Sequence, residues 1–459
     1  MGEIMAWGNL ADNQMVSYTD AQGGGFILNS GQTAVTSNQC MTKNDALTKY
    51  NLNPTNMSSY GDLQLVPKSA WNTNVTWNAS FNDSVYSISV QTDGKIVAGG
   101  SFTIYNTVSK PLLARLNSNT TLDTVFTTSA GGLFPAVVKT YIQTDSKILI
   151  GGHYTTINSV TQQFFTRLLS DGNIDSTFIT NMGLGFERGT GSIAWGVFAI
   201  DVDSNNKIYV GGDFIKFNGS TQNRLIRLNS DGTKDTTFNI GTGFNNLQPN
   251  NAIPVGVIKV QSDLRVLVGG DFDDFQGVTR KALVRLNSDG SLNTAFSTNM
   301  GTGFTDTFNN IFAIDVQTNG NILVGGMFTT FQSVSKNRIL RLNANGTIDT
   351  TFIVGSGFDD IVRSIKIQPD GKILVGGDFS TYQGNLSRGI IRLNTDGSPD
   401  TSFIVGTGFQ TFGGGSVGKV YSMDLRPDGS IYVSGDFVLY KSVSRVRLAK
   451  LSSTGSLLS

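Results

Sequence analysis

Residues 372–379 read KILVGGDF, in which Ile373, Leu374 and Val375 form an apolar run that breaks on Gly376 and Gly377 and resumes at Phe379. Glycine inside a strand gives up side-chain packing and raises the entropy lost on folding. A pair of them therefore marks a bulge or a place where another backbone comes close. The stretch recurs along the chain as VAGGSF, LIGGHY, YVGGDF, LVGGDF, LVGGMF, LVGGDF and YVSGDF. Seven copies make it architecture.

The second glycine of each copy falls at Gly100, Gly152, Gly212, Gly270, Gly326, Gly377 and Gly435, which gives spacings of 52, 60, 58, 56, 51 and 58 residues. Periods of this size indicate a solenoid or a propeller. The unit from Ile361 to Phe403 decides between them. IVRSIKIQ alternates polar and apolar residues and ends at the turn Pro369-Asp370-Gly371. KILVGGDF follows, then the loop YQGNLSR, then GIIRLN, and a second turn, TDGSPD, leads into TSFIVG. No piece has helical period. Four antiparallel strand-like pieces per unit predict an all-β fold, a seven-bladed β-propeller with four-stranded antiparallel blades.

The seventh unit stops at LAKLSSTGSLLS without the D-x-x-F or N-x-x-F that the other units carry, and TWNASF at 76–81 stands just ahead of the first. Asn78–Phe81 aligns with DTTF (235–238) and DTSF (400–403). The expectation is a propeller over 73–459 whose ring is closed by an N-terminal strand, 76–81, that completes the seventh blade and removes a free sheet edge. Residues 1–72 have no repeat. Thr42-Lys43-Asn44-Asp45 reads as a cap for a short helix through Leu47 and Tyr50, with Pro54 ending it. A piece this small docks on a neighbour.

The phrase D-G-K-I-L-V-G-G-D-F, then R-L-N-x-D-G-x-x-D-x-x-F and G-x-G-F, resembles the delta-60 repeat of bacterial and phage propeller proteins over about residues 76–459. That resemblance implies a scaffold and transfers no activity. The N-terminal stretches GGGFILNSGQ (23–32), SNQCMTKNDALTKYNLN (37–53) and LVPKSAW (65–71) are similar to tail-associated virion proteins of Bacteroidetes-infecting, crAss-like phages. This second resemblance implies a phage structural protein of the tail or fibre, assembled in the host cytoplasm. Residues 1–72 would then bind other virion proteins, with a host surface glycan or protein as a further partner and a homo-oligomer within the particle.

Composition is consistent with that expectation. The chain has 34 basic and 34 acidic residues, one His and one Cys, so neither a nucleic-acid footprint nor a disulfide framework is expected. Free Cys40 fits assembly in a reducing cytoplasm. No apolar run is long enough to span a bilayer, and Met1 is followed by no basic-then-apolar leader, so neither membrane insertion nor the usual export route is expected.

Several motifs suggest chemistry and are better read as structure. GGDF echoes the GGDEF signature of cyclic-dinucleotide synthases, but its sevenfold recurrence speaks against that. In R-x-N-x-D-G-x-x-D, the residues Asn229, Asp231, Gly232 and Asp235 sit at calcium-loop spacings. The first ligand position is nevertheless Arg227, matched by Arg115, Arg167, Arg285, Arg341, Arg392 and Lys450, and a guanidinium there pairs with the aspartates instead. GGGSVGKV (413–420) has phosphate-loop spacing but carries Val420 where Ser or Thr is needed, and it precedes a strand. G-x-G-F copies such as Gly241–Phe244 lack a third glycine and read as turns linking the blades. His153 replaces the aspartate of GGDF, and Cys40 reads as packed. No catalytic, cofactor-binding or metal residue is expected.

Strand alternation puts the tight turns, such as Asp93-Gly94 and Asp231-Gly232, on one face and the variable loops on the other. The loops at 183–196, 241–254 and 406–419 make that second face the place for recognition. Trp195, Asn250, Asn251 and Phe412 are its candidate binding residues. The leading expectation is a non-enzymatic virion protein; a bacterial carbohydrate-binding or adhesion propeller, and a propeller hydrolase or lyase, are the competing ones.

Overall fold

The computed structural model describes residues 5–9, 14–18, 41–42, 63–67 and 80–458, apart from 133–134, 188–195, 246–254, 307–308 and 412–414. The expected helix through Leu47 and Tyr50, Cys40, and residues 76–79 lie outside the described residues. The chain divides into two units, Met1–Trp77 and Asn78–Ser459. In the first, strands Met5–Asn9 and Gln14–Tyr18 pair antiparallel, Leu63–Pro67 adds antiparallel to the second, and Met41–Thr42 adds parallel to the first.

The second unit is all-β and repeats one motif seven times. In the sixth repeat, Pro369-Asp370-Gly371 turns the chain tightly. Gly371 takes φ +83°, the Gly371 N–H donates to the Gln368 carbonyl at 2.9 Å, and the Asp370 carboxylate accepts from the Lys372 N–H at 3.0 Å. This turn pairs strand Val362–Ile367 with strand Ile373–Gly377, and Ile390–Leu393 pairs on the other edge of the second strand. The middle strand is buried along its whole length, which explains its unbroken Ile-Leu-Val run.

The glycine pair is explained by a β-bulge. Val362 pairs with Gly377 and Ser364 with Gly376, leaving Arg363 as an extra residue. A Cβ on Gly377 would meet the Ile361 carbonyl oxygen at 2.1 Å; one on Gly376 would meet Val420 Cγ1 of the next repeat at 2.7 Å. One glycine admits the bulge of its own sheet and the other admits the neighbouring repeat. The same bulge recurs at 85/87, 137/139, 197/199, 311/313 and 420/422.

Two expectations change. The fourth piece of each repeat is one bridge long, such as Leu393–Pro399 or Leu228–Lys234, and then leaves the sheet. Asp400 causes this: its carboxylate accepts from the Ser402 N–H at 3.0 Å and from Arg392 at 2.7 Å, which curls the backbone into a turn. In the second and fourth repeats the turn becomes a short helix, Ser176–Met182 and Thr294–Asn299, capped by Asp175 and Asn293.

The second change concerns the G-x-G-F copies, which do more than link. Phe358 bridges to Tyr382 in a short outer hairpin and packs at 4.4 Å from Phe379 and 4.5 Å from Tyr382. Phe81 makes the same bridge to Tyr105, with Phe102 at 4.3 Å. Phe81 therefore occupies the place of Phe358 in the first repeat, and its alignment with Phe403 does not hold. Two different motifs both end in x-x-F, and it is the distance from that Phe to the following strand that separates them.

The hydrophobic clusters lie between repeats. Tyr209, Leu225 and Phe238 of the third repeat pack with Val266, Val268 and Phe272 of the fourth, and Tyr432 and Leu448 of the seventh pack with Phe81, Val85 and Ile88 of the first. Each fully buried side chain of this kind contributes about 1.5–3 kcal/mol, so the interfaces hold much of the stability.

Candidate functional site

Interfaces between repeats are fastened by one arginine. Arg227 Nε donates to Asp235 Oδ2 at 2.8 Å, its guanidinium carbon lies 4.7 Å from the centre of the Phe238 ring, and Nη1 donates to the Ser288 carbonyl of the next repeat at 2.6 Å. Arg115, Arg167, Arg341 and Arg392 repeat the arrangement with Asp123, Asp175, Asp349 and Asp400, and reach Ser170, Ser230, Thr395 and Ser453. Burial opposes ionisation of Asp235, but bonds from Thr237, Lys207 and Arg227 outweigh it and hold the carboxyl below its ordinary range. The aspartate at the calcium-loop spacing is thus committed to a guanidinium.

The first strands face a central channel. Each lies against the first strand of the next repeat, and Lys419–Leu425 of the seventh lies against Val85–Val90 of the first. Two levels of this channel carry polar or aromatic side chains. Three strand residues separate them, about 10 Å at the usual rise.

The deeper level, toward the D-G turns, is set by register. Ser89, Tyr141, Asp201, Lys259, Asp315, Lys366 and Asp424 all pair with the second residue of their neighbouring strand. From the third repeat onward acid and base alternate. Three carboxylates also cross interfaces: Asp201, Asp315 and Asp424 accept from the N–H groups of Val260, Ile367 and Val90 at 2.7, 3.0 and 2.8 Å. Lys259 meets Asp315 at 2.8 Å and Lys366 meets Asp424 at 3.8 Å. The two lysine side chains remain 36% and 41% exposed, so water reaches this level.

The upper level is made by the bulged residues Tyr86, Val138, Phe198, Phe312, Arg363 and Tyr421, at the end of the first strands opposite the D-G turns. Four of them form a continuous arc. Tyr86 lies 5.4 Å from Tyr421, and the Arg363 guanidinium carbon sits 5.2 Å from the Tyr421 ring centre and 5.3 Å from that of Phe312. Asp378 grips Arg363 with two bonds of 2.6 and 2.7 Å. Burial works against the Arg363 charge, and the Asp378 pair overcomes it and raises the pKa. Burial likewise raises the Tyr421 phenol, which stays protonated as a donor.

Trp195, Asn250, Asn251 and Phe412 all lie outside the described residues. His153 is half-buried, its ring nearly parallel to Phe164 at 6.5 Å. Val420 belongs to strand Lys419–Leu425, so GGGSVGKV does run into a strand. The arc residues were missed by sequence reading, although a signal existed. Val85, Val137, Val197, Ile311, Val362 and Val420 are uniformly β-branched, whereas the residue after each one varies from Tyr to Val, Phe and Arg.

Among the described residues, no group of three or more His, Cys, Asp and Glu side chains is placed to hold a metal ion, and no helix is long and apolar enough to cross a membrane. No curated protein matches the chain. Among solved structures it is similar to a streptogramin B lyase, at 13% identity over 78% of this chain and 92% of that one, with a TM-score of 0.41. It is similar to a protein of unknown function from Bacteroides caccae at 14% identity, over 59% and 81% of the two chains, TM-score 0.34. A third is PorZ, a surface component of the type-IX secretion system of Porphyromonas gingivalis, at 10% identity over 99% of this chain and 52% of that one, TM-score 0.41. A family model described as "Domain of unknown function (DUF5122) beta-propeller" matches residues 91–126, 143–178, 204–238, 261–296, 317–352, 368–403 and 426–457, and the chain belongs to that β-propeller family.

Proposed function

We propose that this chain is a non-enzymatic recognition and assembly protein of a phage virion, in the tail or a fibre. Its propeller contacts a host-surface glycan or protein through the loop-side mouth of the channel, and its N-terminal residues bind other virion proteins. The observation that carries the recognition role is the arc Tyr86–Tyr421–Arg363–Phe312. Three aromatic faces and one fixed guanidinium at a channel mouth suit stacking on sugar rings or on a peptide. The virion setting rests on the resemblance of residues 23–71 to tail-associated proteins, and the delta-60 likeness of the repeats agrees with a scaffold role. The aspartates of the repeated motif are engaged by arginines, which supports a structural role for them.

Around that surface we infer a closed ring of seven blades, each with a fourth strand reduced to one bridge. Closure is supported by the Val90–Asp424 bond and by the Tyr432 hydroxyl, which donates to the Ser118 carbonyl at 3.3 Å where other repeats use an arginine. Proteomics of purified virions should find the chain, and antibody labelling should mark the tail. Repeated absence from virions overturns the setting. Unchanged binding of the purified propeller to host cells after Tyr421→Ala and Phe312→Ala overturns the role of the arc.

A further inference from the structure

From the second repeat to the sixth, the stretch that runs up to the G-x-G-F phenylalanine takes two lengths. Phe238 and Phe244, Phe352 and Phe358, and Phe403 and Phe409 stand six residues apart, whereas Phe178 and Phe186, and Phe296 and Phe304, stand eight apart. The longer form is the one that holds the short helices Ser176–Met182 and Thr294–Asn299. In the shorter form the G-x-G loop is closed onto the residues ahead of the third strand. Asn223 and Asn337 donate to the Thr242 and Ser356 carbonyls at 2.7 Å, and a Cβ on Gly243 or Gly357 would meet the Asn223 or Asn337 carbonyl oxygen at 2.7 or 2.5 Å. In the longer form the loop is set back: a Cβ on Gly185 or Gly303 would find nothing nearer than a methionine methyl, Met182 at 3.9 Å or Met300 at 3.6 Å.

The two long forms differ in what they place in that space. In the second repeat Ile179 of the helix packs against the hydrophobic cluster, and the residues ahead of the third strand are the neutral Gln162 and Gln163. In the fourth, Ser297 stands in place of Ile179, and Arg280 and Lys281 in place of the glutamines. The result is a cleft of about 200 Å³ lined by Arg280, Lys281 and Ser297, with Leu283, Met300 and Phe304 as apolar wall and no carboxylate. Ser297 is 6% exposed, and among the described residues neither its buried hydroxyl nor the buried Arg280 Nε has a hydrogen-bond partner. Unpaired polar groups are costly to bury, which marks this place as one that awaits a partner. Nearby acceptors are already engaged. Asp306 accepts from the Thr330 N–H and hydroxyl at 2.8 and 2.6 Å, and the Met300 carbonyl accepts from the Gln332 amide at 2.9 Å. The cleft therefore offers donors and positive charge.

We propose that this cleft binds a carboxylated monosaccharide of the hexuronic acid class, its carboxylate on Arg280, Lys281 and the Ser297 hydroxyl and the apolar face of its ring against Leu283, Met300 and Phe304. A guanidinium with an unused N–H suits a planar carboxylate. The volume of about 200 Å³ is below the roughly 300–1,000 Å³ of sites for drug-sized ligands, which fits one sugar ring. An inorganic oxyanion would leave the apolar wall bare. None of the arc residues lines the cleft, so this is a second site, and it holds whether or not the chain is a virion protein.

The test uses the full chain at pH 7, with calorimetry and ligand-observed NMR against glucuronate and galacturonate, the neutral sugars glucose and galactose, and sulfate. At least one uronate should bind where equal concentrations of the neutral sugars and of sulfate do not. Arg280→Gln combined with Lys281→Gln, which copies the second repeat, should weaken that binding by about tenfold or more. Ser297→Ile, which copies it too, should fill the cleft and abolish binding, with a melting temperature near the parent's showing that the variant folds. Tyr421→Ala, in the arc, should leave uronate binding unchanged. No binding of either uronate, equal binding of a neutral sugar or of sulfate, unchanged binding in the cleft variants, or loss of binding in Tyr421→Ala would each overturn the proposal.

Discussion

Arg227 and Ser288 join two repeats: the arginine Nη1 donates to the serine carbonyl at 2.6 Å while its Nε stays on Asp235 of its own repeat. The Arg227 and Asp235 side chains are 8% and 4% exposed, and Lys207 stays 3.0 Å from the Asp235 carboxylate, so Arg227→Ala removes one of its two cationic partners and should cost about 1–3 kcal/mol in denaturant unfolding. Arg227→Lys should recover only part, because an ammonium cannot fork to both partners. The same truncation at Arg285, whose partner is the neutral Asn293 at 3.4 Å, should cost less. Equal losses at the two sites would mean that the ion pair is not what fastens the interface.

The two glycines of KILVGGDF should respond differently to rescue. Gly376→Ala places a methyl against the Val420 side chain, so Val420→Ala in the same chain should restore part of the loss. Gly377→Ala drives its methyl into the Ile361 backbone oxygen, and no side-chain truncation relieves that. Both single variants should lower the melting temperature, and Gly377→Val should cost about 1–3 kcal/mol or more.

Phe81 should behave as a member of the first repeat. Phe81→Ala and Phe358→Ala remove the same corner of matching aromatic triads, and each should cost about 3–5 kcal/mol. Deleting residues 1–72 leaves this triad whole, whereas deleting 1–82 removes Phe81, so only the second truncation should melt much earlier.

Ser101, His153 and Met327 stand at the position of Asp378 in other repeats, which taken alone points to a mild effect of Asp378→Ala. Its two bonds to Arg363 reverse that expectation. The variant should lose about 1–3 kcal/mol by leaving a charged donor without its acceptor, and thermal unfolding beside the parent measures it.

Acid should loosen the interfaces. Asp235 and Asp400 have folded-state pKa values below their unfolded ones, so the stability they supply is complete above about pH 4 and is lost as pH falls through the folded values. Asp235→Asn should flatten that fall between about pH 4 and 2. Lys139 has the opposite sign: its folded pKa of about 8 lies below the ordinary lysine value, so the unfolded chain binds the extra proton and the charge destabilises the fold below pH 8. Lys139→Met should therefore raise the melting temperature at pH 7, and the gain should vanish by about pH 10–11.

Sequence alone determined the sevenfold repeat, the D-G turns, the glycine pair as a place of close approach, and the pairing of Arg115, Arg167, Arg227, Arg341 and Arg392 with aspartates of the repeated motif. All of these are local, and their period or spacing within one repeat expresses them directly. Tertiary structure decided which x-x-F motif Phe81 matches, that Asp400 curls the fourth piece out of the sheet, and which side chains meet in the channel. The Val90–Asp424 bond spans 334 residues, and Lys259–Asp315 joins adjacent repeats. Spacing within a repeat cannot register such pairs, because bulge and strand register set which side chain turns to the axis, and only the packing of repeats against one another brings those side chains together.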